Sequence, residues 1–103
     1  MNTVKPKFTD LIRESDKPVL VDFYADWCGP CKAMTPILSE VAASFADKVK
    51  VIKINVDKNR AVSTAYKIQG IPTLILFRKG NIIWRQSGII AGSQLKEVLE
   101  KSF

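Results

Sequence analysis

Two residues in this chain carry reactive sulfur, three positions apart in Trp27-Cys28-Gly29-Pro30-Cys31-Lys32. An apolar, strand-like run ends just before them and a helical pattern begins just after, so both sulfurs fall in the first turn of a helix. Unpaired N–H groups and the positive end of the helix dipole favour a thiolate there. Cys28, at the very start, gains most. Cys31, one turn further in, is expected to be more buried and protonated. Two roles in thiol–disulfide exchange separate accordingly: Cys28 attacks a partner's disulfide and Cys31 resolves the mixed disulfide. Gly29 allows close backbone approach, and Pro30 pre-sets a helical φ near the helix start. A local staple and two incidental buried thiols are the other readings of such a pair, although so short a loop removes little entropy from the unfolded chain.

Other chemistries lack their residues. The chain has no histidine, which removes Ser-His-Asp and Cys-His nucleophile pairs and helix-borne zinc motifs. A lone Cys-x-x-Cys is half a tetrahedral zinc site, and only a second chain could complete it, so no metal is expected. No glycine-rich phosphate-cradling pattern is present. The net charge is +6, from 16 basic and 10 acidic residues. The basic residues are scattered singly or in pairs such as Arg78-Lys79, so they read as a solvated surface that biases partner choice, with nucleic-acid binding disfavoured. No apolar run approaches the roughly 18–20 residues of a membrane span. Residues 1–7 lack the apolar core and cleavage site of a secretory signal, so a complete chain is expected to stay in the cytoplasm, where thiols are kept reduced.

The elements that must position the sulfurs are legible from periodicity. Length predicts one domain over all 103 residues. Apolar residues Phe8, Leu11 and Ile12 predict a short helix over 8–15, with Pro6 just ahead of it. Residues 19–25 read as a central strand covered on both faces. Met34, Ile37, Leu38, Val41, Ala42 and Phe45 form the buried stripe of a long helix that Pro36 interrupts. Residues 49–56 read as a second central strand. Asp57-Lys58-Asn59 offers capping side chains to a helix over 59–67, with Val62, Ala65 and Tyr66 inward. Strands over 74–78 and 81–86 form a hairpin around Lys79-Gly80, and a helix over 92–102 buries Leu95, Val98 and Leu99. Two crossover helices plus a hairpin make a mixed sheet with helices on both faces.

Asp22 interrupts the apolar strand 19–25, where an ionised carboxylate is costly. It is either an Asp on a solvated face or a buried carboxyl with a raised pKa, close enough to exchange a proton with Cys31. Lys53, equally out of place in the following strand, could pair with it. Pro72 follows Ile71 in a loop entering a strand, and base rates alone make that bond trans.

The run Val-Asp-Phe-Tyr-Ala-Asp-Trp-Cys-Gly-Pro-Cys-Lys at 21–32, with Pro36, Asp57, Gly70-Ile71-Pro72-Thr73, Gly80 and Gly88, resembles the thioredoxin family across essentially the whole chain. The resemblance implies an α/β thioredoxin fold, a mixed four- to five-stranded sheet flanked by four helices, and a protein-disulfide reductase activity. It implies no bound cofactor, with electrons arriving from NADPH through a flavoprotein thioredoxin reductase, and a monomer acting on disulfide-containing proteins. It makes Cys28 the nucleophile, Cys31 the resolving thiol, and Asp22 with Lys53 a buried pair. Pro72 would be cis and face the disulfide. Trp27, Gly29, Pro30, Gly70, Ile71, Pro72 and Gly88 would line a groove for an extended substrate segment. Departures from the family pattern are the short stretch before Phe8, where the first edge strand would be truncated or missing, Ser87 ahead of Gly88, which would make the groove more polar, and Ala91 before the last helix. A docking subunit with dispensable cysteines and an exchanger dedicated to one partner are the alternative functions.

Overall fold

Val19-Leu20-Val21-Asp22-Phe23-Tyr24 forms β1 (Val19–Tyr24), buried along nearly its whole length in the computed structural model, which describes residues 7–103. Successive strand side chains point to opposite faces, and both faces of β1 are covered, which is why its sequence is apolar almost without alternation. Leu20 packs with Met34, Leu38 and Val41 of α2 (Gly29–Ser44) and with Leu95 and Leu99 of α4 (Gly92–Glu100). Val19, Val21 and Phe23 pack on the other face with Ile12 of α1 (Phe8–Glu14), and Val62 of α3 (Arg60–Ala65) lies against that cluster.

β1 pairs in parallel with β2 (Lys50–Asn55) and antiparallel with β3 (Thr73–Arg78), which pairs antiparallel with β4 (Asn81–Ser87). The sheet order is β2-β1-β3-β4. This is the expected mixed α/β sheet flanked by four helices, with four strands among the described residues. The β3–β4 turn uses Lys79 and Gly80 with φ of 50° and 86°, the left-handed pair that matches the twist of a two-residue hairpin. The Gly80 N–H donates to the Ile12 carbonyl at 3.0 Å, tying that hairpin to α1.

Two expectations change, and a third falls outside the described residues. β2 is one of the two edge strands among the described residues, not a central one; its exposed Lys50 and Lys53 suit an edge, where lysines discourage further pairing. The expected edge-strand truncation concerns residues 1–6, which lie outside the described residues. α3 is shorter than its periodicity implied, with Ala65 exposed and Ser63 buried in its place. Ser63 is polar, but its hydroxyl donates to the Asn59 carbonyl at 2.9 Å, so its burial leaves no orphan.

α2 is held on the sheet chiefly by its apolar stripe, so Leu38→Ala, at a position 3% exposed, is expected to cost about 2–5 kcal/mol in urea unfolding.

Candidate active site

Cys28 stands at the N-cap of α2 in extended conformation, with Gly29 and Pro30 as the first exposed helical residues. Its sulfur takes the place that a Ser or Asp oxygen usually fills: the Cys31 N–H donates to Cys28 Sγ at 3.1 Å. Cys28 and Cys31 form a disulfide with their Cα atoms 5.2 Å apart. The expected difference in burial is absent, since each cysteine is 4% exposed. Ala25 clusters with the two cysteines, and Tyr24, Val56 and Ile71 pack against that cluster. The asymmetry between them lies in the hydrogen bonds: the helix-end N–H reaches Cys28, and the Ile71 carbonyl oxygen stands 3.8 Å from the same sulfur.

Asp22 shares the face of β1 that Leu20 occupies, the face packed by α2, because residues two apart on a strand point the same way. It therefore lies beneath the helix that carries Cys31. It is 1% exposed, and its Oδ1 has no hydrogen-bond partner among the described residues. Burial pushes its carboxyl from an ordinary 3.8 up to about 6, against the opposing charge of Lys53. Lys53 is the register partner of Asp22 across the parallel β1–β2 ladder. It is not the buried half of an ion pair, however. Its side chain reaches solvent, its Nζ sits 4.7 Å from the Tyr24 ring centroid, and none of the ion pairs among the described residues joins it to Asp22. A long, flexible stem lets the ammonium stay hydrated over an aromatic face, at lower cost than desolvation beside the carboxylate. Tyr24, Lys53, Lys32, Asp26 and Thr35 surround a depression of about 180 Å³ that opens onto Cys31.

The Ile71–Pro72 loop forms the other side of the disulfide, and the Gly88 loop is tied to it. The Ile71–Pro72 bond is cis, as the resemblance implied, and Pro72 is buried. Gly88, at φ 92°, donates its N–H to the Pro72 carbonyl at 2.8 Å, so the Gly70–Pro72 and Gly88 segments are joined. Gly70 is exposed at the loop's outer edge. Trp27 is 70% exposed, and its indole N–H donates to Asp57 Oδ2 at 2.8 Å. Sequence reasoning made Asp57 and Asn59 helix caps, but no side chain caps α3. The buried Asn55 organises the turn instead: its Oδ1 accepts from the N–H groups of Asp57 at 2.9 Å and Lys58 at 3.3 Å, and its carbonyl accepts from Asn59 Nδ2. That turn presents the Asp57 carboxylate to Trp27. Ile89, 54% exposed beside Gly88, is a further apolar residue that sequence reading passed over. Its signal was the pair Ile89-Ile90, of which only Ile90 enters the core.

A disulfide at the start of a helix, opposite a cis-proline loop and above a buried carboxyl, defines a dithiol–disulfide redox centre on an α/β sheet. No group of three metal-ligating side chains competes with that description among the described residues. Comparison with known proteins agrees. A thioredoxin family model matches residues 1–101. The chain is 42% identical over 100 residues to thioredoxin of Pseudomonas aeruginosa, covering 97% of this chain and 93% of that protein. It is 42% identical over 94 residues to thioredoxin of Haemophilus influenzae, 91% and 88% of the two chains. It is also 47% identical over 95 residues to thioredoxin Y2, chloroplastic, of Arabidopsis thaliana, covering 92% of this chain and 57% of that one. The chain thus spans little more than half the length of its chloroplastic relatives. It belongs to the thioredoxin family.

The Asp22 shift has a stability consequence of definite sign. A carboxyl whose folded pKa is raised binds its proton more tightly when folded, so its favourable contribution is full below about 3.8 and is lost as pH rises through about 6. Asp22→Asn is therefore expected to stabilise the fold by about 2–3 kcal/mol at pH 8, an advantage that shrinks toward zero below pH 4, in urea unfolding across that range.

Proposed function

We propose that this chain reduces disulfide bonds in other proteins by cycling Cys28 and Cys31 between dithiol and disulfide. The observation that carries the reading is the Cys31 N–H donated to Cys28 Sγ at the N-cap of α2. In the reduced protein the same donor favours the Cys28 thiolate, the attacking species.

The Cys28 thiolate attacks one sulfur of a partner's disulfide. A Cys28–partner bond forms, the partner's own S–S bond breaks, and its other sulfur leaves as a thiolate that takes up a proton. Cys31 then gives its proton to the Asp22 carboxylate and attacks Cys28 Sγ. The intramolecular disulfide forms, the mixed disulfide breaks, the partner's second sulfur leaves as a thiolate that takes up a proton, and the partner departs as a dithiol having gained two electrons. With a pKa of about 6, Asp22 is mostly ionised at pH 7 yet a stronger base than an ordinary carboxylate. Lys53 limits that rise through its charge. Trp27, Gly29, Pro30, Gly70, Ile71, Pro72 and Gly88 form the docking groove for the partner segment.

Electrons reach the disulfide from NADPH through a flavoprotein thioredoxin reductase. Residues 1–103 act as one domain and as a monomer, in the cytoplasm, where reduced thiols persist. No helix among the described residues is long and apolar enough to cross a membrane. The net charge of +6 biases which partners dock, by electrostatic steering.

Insulin-disulfide reduction in the presence of dithiothreitol tests the activity; no acceleration by a protein with both cysteines intact overturns it. Cys31→Ser is expected to accumulate partners bound through Cys28, seen as higher-mass species that collapse on reduction. Asp22→Ala is expected to slow resolution of the mixed disulfide by about 10²-fold or more in single-turnover kinetics while leaving the first attack within a few-fold; equal slowing of both steps removes Asp22 from the mechanism.

A further inference from the structure

Ser87 was expected to add polarity to the groove, but its hydroxyl is engaged elsewhere. Ser87 ends β4 and Thr73 opens β3, and the two are cross-strand partners at the sheet end nearest the disulfide. Their hydroxyl oxygens are 2.9 Å apart, and Thr73 Oγ1 also meets the Gly70 carbonyl. The proton inventory gives this contact a direction. A carbonyl only accepts, so the single Thr73 proton goes to Gly70, and Ser87 must donate to Thr73. The result is a one-way relay, Ser87 O–H to Thr73 O–H to Gly70 C=O, running from the Gly88 side of the groove into the loop that carries Ile71 and Pro72. Beside it runs a second bridge, the Gly88 N–H to the Pro72 carbonyl at 2.8 Å.

We propose that Ser87 is a positioning residue: through Thr73 it sets the spacing of the two loops between which a partner's disulfide-bearing segment docks. The inference rests on the reading of that groove as the partner's docking site. Thr73 is fully buried, whereas Ser87 is exposed. Loss of the Ser87 hydroxyl therefore leaves the core packing and the Gly70 bond intact. What it removes is the side-chain link from β4 to the Gly70 end of the loop; Arg85 of β4 holds the same loop further back, at the Tyr66 and Lys67 carbonyls. The Ile71 carbonyl, 3.8 Å from Cys28 Sγ, belongs to that loop, so its placement against the sulfur depends on how the loop is held. An apolar residue at position 87 cannot donate and leaves, near Gly70, the Gly88–Pro72 backbone bridge alone, with the Arg85 bonds acting only at the far end of the loop. Ser87 thus tunes how well the groove is preformed, which affects docking more than sulfur chemistry.

The test uses the full chain, its Ser87→Ala and Ser87→Thr variants, insulin as the disulfide probe, and amide hydrogen exchange at Gly88. Ser87→Ala is expected to raise KM about fivefold with kcat held within twofold, and to speed Gly88 exchange by a similar factor, the loss of one ordinary hydrogen bond. Ser87→Thr, which keeps the donor, is expected to restore both. Wild-type Gly88 exchange in Ser87→Ala overturns the relay. Faster exchange with an unchanged KM, or failure of Ser87→Thr to rescue KM, overturns the positioning role. If the unmodified chain does not reduce insulin, the functional reading fails, and Gly88 exchange still decides whether the relay holds the loops.

Discussion

A backbone N–H aimed at a sulfur, from Cys31 to Cys28 at the open end of α2, is the interaction on which the rest of the molecule converges. It requires a helix that begins at that residue, and a helix end is a weak anchor unless the helix body is fixed elsewhere. Met34, Leu38 and Val41 provide the fixing, docked on Leu20, Leu74 and Leu76 of the sheet. The apolar stripe of α2 and the donor at its tip are therefore parts of one device: burial of the stripe sets the direction in which the unpaired N–H groups point.

The same burial creates the one conspicuous electrostatic cost. β1 is covered on both faces, so Asp22 cannot reach water from its strand position, and its Oδ1 lacks a partner. A neutral residue there would suit the fold better. The carboxyl makes sense as a proton acceptor beneath the cysteine helix, where a base weaker than an imidazole but stronger than a surface aspartate is what the proposed second step requires. Lys53 moderates the cost from a distance, with its ammonium over Tyr24 at the rim of the depression that reaches Cys31.

The disulfide is flanked by loops, and loops need their own restraints. Here they are short polar bridges: Asn55 shaping the turn that offers Asp57 to Trp27, Gly88 held to Pro72, and Ser87 linked through Thr73 to Gly70. None adds much to global stability one by one. Together they set the wall of the proposed docking groove, and Trp27 and Ile89 remain exposed beside it.

What sequence alone determined here is whatever local chemistry dictates. The cysteine spacing at a strand-to-helix switch, the stripe of α2, the apolar β1 and the Lys79-Gly80 hairpin follow from periodicity and turn residues, and the family resemblance followed from the same run. The rest was beyond local pattern. Equal burial of Cys28 and Cys31, the ammonium of Lys53 over Tyr24 instead of on Asp22, Asn55 in place of the expected caps, and the direction of the Ser87 hydroxyl all depend on contacts between segments distant in sequence. Periodicity reports which face of an element is apolar, but a hydrogen bond within a few ångströms depends on how elements pack. Tertiary structure alone decided those partners, because only the folded chain brings β4 to the Gly70 loop and β2 beside β1.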